Sequence, residues 1–329
     1  MSNNSKTYST AAPLILLMTA LYISAFFVNI TPVTRQVPLF WESLIDTSII
    51  FGDTVVSKIL AFIFIILTGL TLFLFNNRFT TGISSLLPFI YTLLVVANPY
   101  CIFFSPTHIA AFLLMCSFFF SVKYRVEGQG IDDLFITFLL LGLSSFFYAP
   151  IIWCFPLMFG ISLRASEDKI KFIFSSLMGL IAPIAIYLLI LYLFASANES
   201  LTAIAQYGRA MIKVEPKVLT FSLAEICRDI FIMILTVSSM IYVANNLTRY
   251  KTTKSRAYIR ILCYIAMLFP ILLIFTCTNH TPNGLIMYLP VSLSIFEYIS
   301  CSTSRKWSVI RNTLCIALFV VERVIYFLH

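Results

Sequence analysis

The stretch FIFIILTGLTLFLF (residues 62–75) decides the fold class of this chain. Its apolar residues do not alternate with polar ones, as they would in the segments of about ten residues that build a transmembrane β-barrel. A run of about 20 apolar residues crosses a hydrocarbon core roughly 30 Å thick. Since each backbone N–H and C=O group must be paired within its own segment in lipid, the stretch predicts a membrane-spanning helix.

The remainder of the chain has the same apolar character. Hydrophobic residues make up 60% of it and charged residues 11%, whereas ordinary soluble domains carry about 25% charged residues. Hydropathy predicts spans near residues 11–30, 55–75, 83–97, 107–121, 134–148, 150–163, 172–195, 227–245, 258–278, 284–300 and 308–328. We expect no cleavable signal peptide, because the N-terminus continues directly into a full-length span. The predicted fold is an all-α polytopic transmembrane bundle of eleven spans, a single domain over residues 1–329.

The positions of lysine and arginine predict the orientation. With the N-terminus inside, four basic residues fall in external loops and fifteen of the 22 fall in cytoplasmic segments. The fifteen are Lys6, Arg78, Lys123, Arg125, Arg164, Lys169, Lys171, Arg249, Lys251, Lys254, Arg256, Arg260, Arg305, Lys306 and Arg311. Because short cytoplasmic loops are enriched in basic residues, we predict a bacterial inner-membrane protein with its N-terminus inside and its C-terminus outside.

The net charge of +8 follows from this topology and from contact with anionic membrane lipids, so it does not indicate nucleic-acid binding. The densest basic segment, TRYKTTKSRAYIR (248–260), is either a solvated cytoplasmic loop or a docking site for a protein partner.

The eight cysteines are scattered along the chain with no CxxC pair, and we interpret them as buried small side chains. No phosphate-binding loop is present, which argues against an ATPase subunit that binds its own nucleotide. The cofactor is unknown, and a divalent metal is open but not indicated.

The first external loop, residues 31–53, carries three acids in a chain that has fourteen. On a helix, Glu42 and Asp46 share a face and Asp53 falls near the same face two turns later. The surrounding apolar residues, Trp41 among them, predict a short amphipathic helix at the external surface. The acids are either the solvated side of this helix or a carboxylate site, where one acts as a general base or metal ligand.

The second long external loop, residues 196–226, carries a basic stripe. Arg209, Lys213 and Lys217 are spaced i, i+4, i+8, although Pro216 favours a break there. Such a stripe suits a phosphate, because arginine and lysine give charge-assisted hydrogen bonds to its oxygens. The alternative is contact with lipid headgroups or pairing with the acids of the same loop, Glu199, Glu215 and Glu225.

The external turns between the shorter spans give two further candidates. Pro99 and Pro106 bias the 98–106 turn away from helix, and such a break at membrane depth is tolerated only beside protein or a water-filled cavity. His108, just after this turn, is either a proton carrier or ligand or a hydrogen-bonding group at a helix start. We expect His108 and Tyr148, which opens the next external turn, to line an outward-facing cavity.

Three segments resemble a family of uncharacterised multi-spanning inner-membrane proteins of Bacteroidota. They are NPYCIFFSPTHIAAFLLMCSFFF (98–120), DDLFITFLLLGLSSFFYAPIIWCFPLMFGISLR (132–164) and SLMGLIAPIAIYLLILYLF (176–194). The resemblance covers roughly residues 75–195. It rests on Asp133, Gly142, Ser145, Phe147, Tyr148, Pro150, Arg164, Gly179 and Pro183, and it implies no established activity.

More remotely, the layout is similar to that of the GT-C class of polytopic glycosyltransferases. That resemblance implies an outward-facing site, a lipid-phosphate sugar donor and an acidic base in the first external loop. Glu42, Asp46 or Asp53 would then be the base, and the 209–217 stripe would face the lipid phosphate. This chain departs from the class because Asn29–Ile30–Thr31–Pro32 occupies the usual place of the acid, and Glu42 is the first acid after it.

Three functions from different classes follow from these observations. The first is a GT-C-like transferase that handles lipid-linked sugars in the cell envelope. The second is a non-catalytic membrane subunit or scaffold of an envelope assembly or secretion machine. The third is a transporter, although inverted repeats and midplane polar residues are not evident.

Overall fold

The protein is helical throughout the part of the chain described by the computed structural model. That part comprises residues 23, 54–79, 86–127, 130–163, 168–194, 202, 204–209, 223–245 and 284–300. Its helices are α1 (Val55–Phe79), α2 (Leu86–Ala97), α3 (Pro106–Glu127), α4 (Ile131–Phe147), α5 (Phe155–Leu163), α6 (Lys169–Phe194), α7 (Leu223–Asn245) and α8 (Gly284–Ser300). Two 3-10 helices, Pro99–Ile102 and Ala149–Cys154, precede α3 and α5, and residues 204–209 form a further short helical stretch. The all-α prediction is confirmed for these residues.

Eight of the eleven predicted spans coincide with described helices. They are the spans near 55–75, 83–97, 107–121, 134–148, 150–163, 172–195, 227–245 and 284–300. One needs correction in detail: residues 150–163 do not form one α-helix, because the chain runs as a 3-10 helix to Cys154 before α5 begins. The other three predicted spans lie outside the described residues, apart from helical Ile23.

Three of the described helices are long and apolar enough to cross a membrane, namely α1, α3 and α6. At 1.5 Å per residue, the 25 residues of α1 extend about 37 Å, which exceeds a hydrocarbon core of about 30 Å. Helix α6 is mostly exposed along its length, as expected for a helix that faces lipid. Helix α2 has 12 residues and extends only about 18 Å, so it is too short to cross alone.

Contacts between side chains define the directions in which the helices run. Helices α3 and α4 are antiparallel, because Ser144 hydrogen-bonds to the Ala110 carbonyl and Ser117 to the Thr137 carbonyl. Helices α1 and α3 are parallel, since the Phe64 ring packs on the Phe112 ring and, further along both helices, the Phe79 ring packs on the Phe119 ring.

Helices α4 and α6 are also parallel, and they approach each other closely. Ser175 hydrogen-bonds to the Ile131 carbonyl near the start of both helices, and the Phe146 and Tyr187 rings meet further along. A Cβ atom on Gly142 would lie 2.8 Å from the Leu180 carbonyl oxygen. A Cβ atom on Gly179 would lie 2.6 Å from the Phe135 carbonyl oxygen. Each helix therefore presents a glycine to the backbone of the other, the close approach that small residues permit in membrane bundles.

These directions give the bundle two chemically different ends. We call the end where α1 and α3 finish and α4 and α6 begin the charged end. It carries the basic residues Arg78, Lys123, Arg125, Lys169 and Lys171. We call the opposite end, with the 98–105 segment and the finish of α4, the turn end. Lys58 and Arg209 are the two basic side chains described there.

At the charged end, α3 and α4 are joined by an ion pair. Lys123 Nζ donates to Asp133 Oδ1 at 2.7 Å, and the two side chains are 25% and 13% exposed. The link between the helices is short because Gly130, which precedes α4, adopts φ 82°, a left-handed conformation that glycine reaches without steric cost. The Lys171–Asp168 ion pair at the start of α6 is exposed, and the hydrogen bonds from Lys171 lower the pKa of the Asp168 carboxyl.

Candidate functional site

The turn end holds the predicted external site residues that the structure describes, namely His108, Tyr148 and Arg209. The 98–105 segment forms its centre. This irregular backbone is buried: Cys101, Ile102 and Phe104 are each less than a tenth exposed. Buried backbone groups without partners cost free energy. Here the Phe104 N–H donates to Ser57 Oγ at 3.0 Å, and Ser57 itself lies in the first turn of α1. The start of α1 thus stabilises a turn that lies 47 residues further along the chain.

His108 stabilises the same segment from the other side. Its side chain is 2% exposed, and its Nε2 lies 3.0 Å from the Cys101 carbonyl oxygen. A carbonyl only accepts, so Nε2 carries the proton of the neutral ring. Nδ1 then accepts from Ser105, whose N–H and Oγ lie 3.2 Å and 3.0 Å away.

This pattern reproduces one arm of a capping box, with a histidine in the place of the usual glutamate, whereas the His108 N–H donates to the Ser105 carbonyl. Ser105 directly precedes α3, and the side chain three residues later reaches back to its N–H group. His108 is therefore a hydrogen-bonding group at a helix start, one of the two alternatives left open by the sequence. Its predicted role in lining a cavity stays a prediction, and both ring nitrogens already have main-chain partners.

Helix α8 closes the segment on a further side. Asn98 Nδ2 lies 3.5 Å from the Tyr288 hydroxyl oxygen, and both side chains are buried. A Cβ atom on Gly284, the first residue of α8, would lie 3.1 Å from Asn98 Nδ2. The start of α8 therefore packs directly on Asn98, the residue that follows α2.

Tyr148 lies at the second break of the turn end. It caps α4 in an extended conformation, with φ −150° and ψ 95°, and its N–H donates to the Ser144 carbonyl. Pro150 follows inside the 3-10 helix, where its missing N–H leaves no main-chain donor unpaired. Trp153 in the same 3-10 helix is 44% exposed, the exposure expected of an aromatic anchor at a membrane–water interface. The side chain of Tyr148 is half-buried, and its cavity-lining role stays a prediction.

The described part of the second long loop docks at this break. Tyr207 OH lies 2.5 Å from Ser145 Oγ, and the Tyr207 ring lies 5.9 Å from the Phe146 ring. Ser145 Oγ also donates to the Gly142 carbonyl at 2.6 Å, so its single proton is used and Tyr207 must donate to it. Burial raises the pKa of the Tyr207 hydroxyl and the Ser145 hydrogen bond opposes this, so the phenol keeps the proton that it donates.

Arg209 follows two residues after this anchor. Its side chain is exposed and forms no ion pair with any described acid. Three acids have described side chains, Asp132, Asp133 and Asp168, and they lie at the charged end, at the start of α4 or just before α6. Glu225 and Asp229 lie in the first two turns of α7. Arg209 is thus an exposed cation at the turn end.

The other predicted site residues lie outside the described residues. These are the acids Glu42, Asp46 and Asp53, the basic residues Lys213 and Lys217, and the 248–260 loop. Their predicted roles stay predictions. Among the described residues no group of histidine, cysteine and acidic side chains could hold a metal ion.

Sequence reasoning missed the residues that hold the turn end together. Ser57, Ser145 and Tyr207 each form a contact to a distant segment, and nothing in their own spacing indicates these partners. A partial signal was available at Ser145, which lies three residues after Gly142 in an apolar helix. Pairs of small residues of this kind mark close contacts between membrane helices.

No model of a known protein family matches this chain, and no curated protein matches it either. The functional argument therefore depends on the residues and contacts described above.

Proposed function

We propose that this chain is a multi-pass protein of the bacterial inner membrane that handles lipid-linked sugars, as a GT-C-like glycosyltransferase, at its external end. The observation that carries the proposal is the docking of residues 204–209 at the turn end. Tyr207 is fixed to Ser145, and Arg209 follows it as an exposed cation. A phosphate-bearing lipid is the anion that a membrane offers to such a residue.

The distribution of charge supports the orientation. Among the basic side chains that the structure describes, five lie at the charged end and two at the turn end. With basic residues favoured on the cytoplasmic side, the charged end is cytoplasmic and the turn end external. The proposal retains eleven spans, with the N-terminus inside and the C-terminus outside.

The proposed reaction transfers a sugar from a lipid phosphate to an acceptor hydroxyl. One carboxylate among Glu42, Asp46 and Asp53 takes the proton of the acceptor hydroxyl as general base. The acceptor oxygen bonds to the anomeric carbon, and the bond from that carbon to the phosphate oxygen breaks. The lipid phosphate leaves with the electron pair, and Arg209, assisted by Lys213 and Lys217, stabilises its charge.

The test uses membranes from cells that produce the full chain, which supply the unknown acceptor. A polyprenyl-phosphate hexose labelled in the sugar is the donor, and the measured quantity is label lost from the donor into a new product. We expect the combined change Glu42→Gln, Asp46→Asn and Asp53→Asn to abolish this transfer while the protein still inserts. The matched control is Asp132→Asn, an exposed acid at the charged end, which should leave transfer unchanged.

Transfer that survives all three changes would refute the transferase. The remaining functions then separate by other measurements. A scaffold predicts stable membrane partners in a pull-down, with the 248–260 loop as a contact, whereas a transporter predicts substrate flux in proteoliposomes.

A further inference from the structure

Helix α6 carries a proline, Pro183, at its contact with α4. Proline has no N–H group, so Pro183 cannot donate to the Gly179 carbonyl four residues earlier, and its ring crowds that carbonyl. Sharp bends in long helices occur at such prolines. A Cβ atom on Gly142 of α4 would lie 3.1 Å from Pro183 Cγ. The weak point of α6 therefore rests against α4, which provides a pivot.

The part of α6 before this point, residues 169–182, is joined firmly to its neighbours, and we call it the inner half. Ser175 hydrogen-bonds to the Ile131 carbonyl of α4. The Phe172 ring is buried and lies 4.9 Å from the Phe159 ring of α5. Because these contacts reach two helices, we expect the inner half to stay with the bundle if α6 bends.

The part after Pro183, residues 184–194, is the outer half of α6, and its far side is exposed. The ring of Tyr187 lies 5.8 Å from the ring of Phe146 in α4. Ile186, Leu189 and Leu193 are 58%, 59% and 66% exposed. At about 100° per residue, these three positions lie about 100–160° around the helix from Tyr187. The outer half thus meets α4 through an aromatic pair and presents apolar side chains on the side away from it.

The same Phe146 ring carries the docked stretch of the second long loop. The Tyr207 ring lies 5.9 Å from it, and the Tyr207 hydroxyl donates to Ser145 Oγ at 2.5 Å. Ser145 in turn donates to the carbonyl of Gly142, the residue that faces Pro183. One hydroxyl and one ring therefore join the loop, the end of α4 and the pivot of α6.

We infer that α6 bends at Pro183 and that Tyr207 is the latch that keeps its outer half on α4. Release of Tyr207 from Ser145 loosens the Phe146 ring, and with it the contact to Tyr187. The outer half then swings away from α4 and opens a lateral path between the two helices at the turn end. Admission of the lipid-linked donor through this path rests on the proposed function, whereas the motion itself does not.

Distances between two spin labels measure this motion. Nitroxides are attached to p-acetylphenylalanine, which leaves the native cysteines in place, in the full chain in nanodiscs of phosphatidylglycerol and phosphatidylcholine. The reference label is at Leu70 of α1, which is 45% exposed, and the second label is at Leu189 in the outer half. The matched pair has its second label at Met178 in the inner half, which is 60% exposed. Double electron–electron resonance then gives the ratio of open to closed populations.

Tyr207→Phe keeps the ring and removes the hydrogen bond. We expect it to raise the open-to-closed ratio at position 189 about threefold, the factor for one hydrogen bond of average strength between membrane helices. Ser145→Ala should raise the ratio equally, and the double variant should raise it no further, because both changes remove the same bond. Tyr192→Phe, the same substitution at a 73% exposed tyrosine of the outer half, should leave the ratio unchanged.

Pro183→Ala restores the missing main-chain donor of α6. It should suppress the open population at position 189, also when combined with Tyr207→Phe. The label at position 178 should report one distance in every variant, since the inner half does not move.

Three results would overturn the inference. An unchanged ratio at position 189 in Tyr207→Phe would refute the latch. Equal shifts at positions 178 and 189 would show that the whole of α6 moves, which would refute the hinge. An open population that persists when Pro183→Ala is combined with Tyr207→Phe would also refute the hinge. If Tyr207→Phe fails to insert, Ser145→Ala is measured in its place and the same outcomes apply.

The use of the lateral path is tested separately by sugar transfer. If the lipid-linked donor enters between α4 and α6, Pro183→Ala should lower the transfer rate in proportion to the loss of the open population. Transfer at the wild-type rate by a variant whose open population has fallen would refute this entry path. Absence of transfer by the wild-type protein would refute the proposed function and leave the measured distances unaffected, so the two proposals fail independently.

Discussion

Replacing glycine by alanine at three positions should change the free energy of unfolding with opposite signs. Alanine is favoured over glycine in a helix by about 0.5–1 kcal/mol. At Gly160, where an added Cβ meets open space, Gly160→Ala should stabilise the protein by about this amount. At Gly179 the added Cβ would lie 2.6 Å from the Phe135 carbonyl oxygen. To reach an ordinary contact of 3.4 Å, α6 must shift by about 0.8 Å.

Such overpacking typically costs about 1–3 kcal/mol, which outweighs the gain in helix propensity. We therefore expect Gly179→Ala to destabilise by about 0–2.5 kcal/mol after that gain is subtracted. Gly142→Ala should do the same, since its Cβ would lie 2.8 Å from the Leu180 carbonyl oxygen.

Unfolding in mixed micelles, followed by circular dichroism across a denaturing-detergent titration, gives the three free energies on one scale. Because the three variants carry the same substitution at different positions, most errors of the method cancel when their free energies of unfolding are compared. If Gly179→Ala and Gly160→Ala have the same free energy of unfolding, the close approach of α4 to α6 is refuted. If Gly179→Ala and Gly160→Ala both have a higher free energy of unfolding than wild type, the parallel contact between α4 and α6 is refuted.

Three other perturbations test the remaining contacts. Ser117→Ala removes a buried hydrogen bond to the Thr137 carbonyl and should cost about 0.6 kcal/mol, up to about 1.7; Thr92→Val, which loses only a bond within its own helix, should cost less in the same titration. A double-mutant cycle of Lys123→Met and Asp133→Asn should give a coupling free energy of about 0.5–1 kcal/mol, which decreases as the salt concentration rises. Zero coupling at low salt would show that this ion pair does not stabilise the fold. His108→Leu leaves buried main-chain groups unpaired and should cost about 1–3 kcal/mol for each; His108→Gln should recover part of the loss, and equal stability of the two variants would contradict the capping role.

The sequence predicted the helices well because length and hydropathy act locally. Each predicted span that falls on described residues coincides with a helix. The ends were less accurate: the span near 107–121 continues as helix to Glu127, because hydropathy reports the apolar layer and not the residue at which the helix ends. The break inside 150–163 was missed, although Pro150 lies at its start.

The arrangement of the helices depends on distant contacts that no local pattern reports. The parallel pairing of α4 with α6 depends on two glycines separated by a whole helix in sequence. Ser57 and Tyr207 act on segments far from them along the chain. Arg209 lies at the turn end, two residues after the Tyr207 anchor. Its phosphate-binding role stays a prediction, as do the roles of the acids of the first loop.

The parallel contact between α4 and α6 has a consequence for the order of assembly during synthesis. The surface around Gly142 cannot find its partner until Gly179 has been made, and at about 5–20 residues per second this takes roughly 2–7 s. Helix α3 is complete by then, and its hydrogen bonds to α4 can form at once. The nascent chain should therefore wait in the membrane as an α3–α4 hairpin whose open groove is occupied by lipid. Arrival of α6 then expels that lipid, so the last step of folding at this contact is an exchange of lipid for backbone.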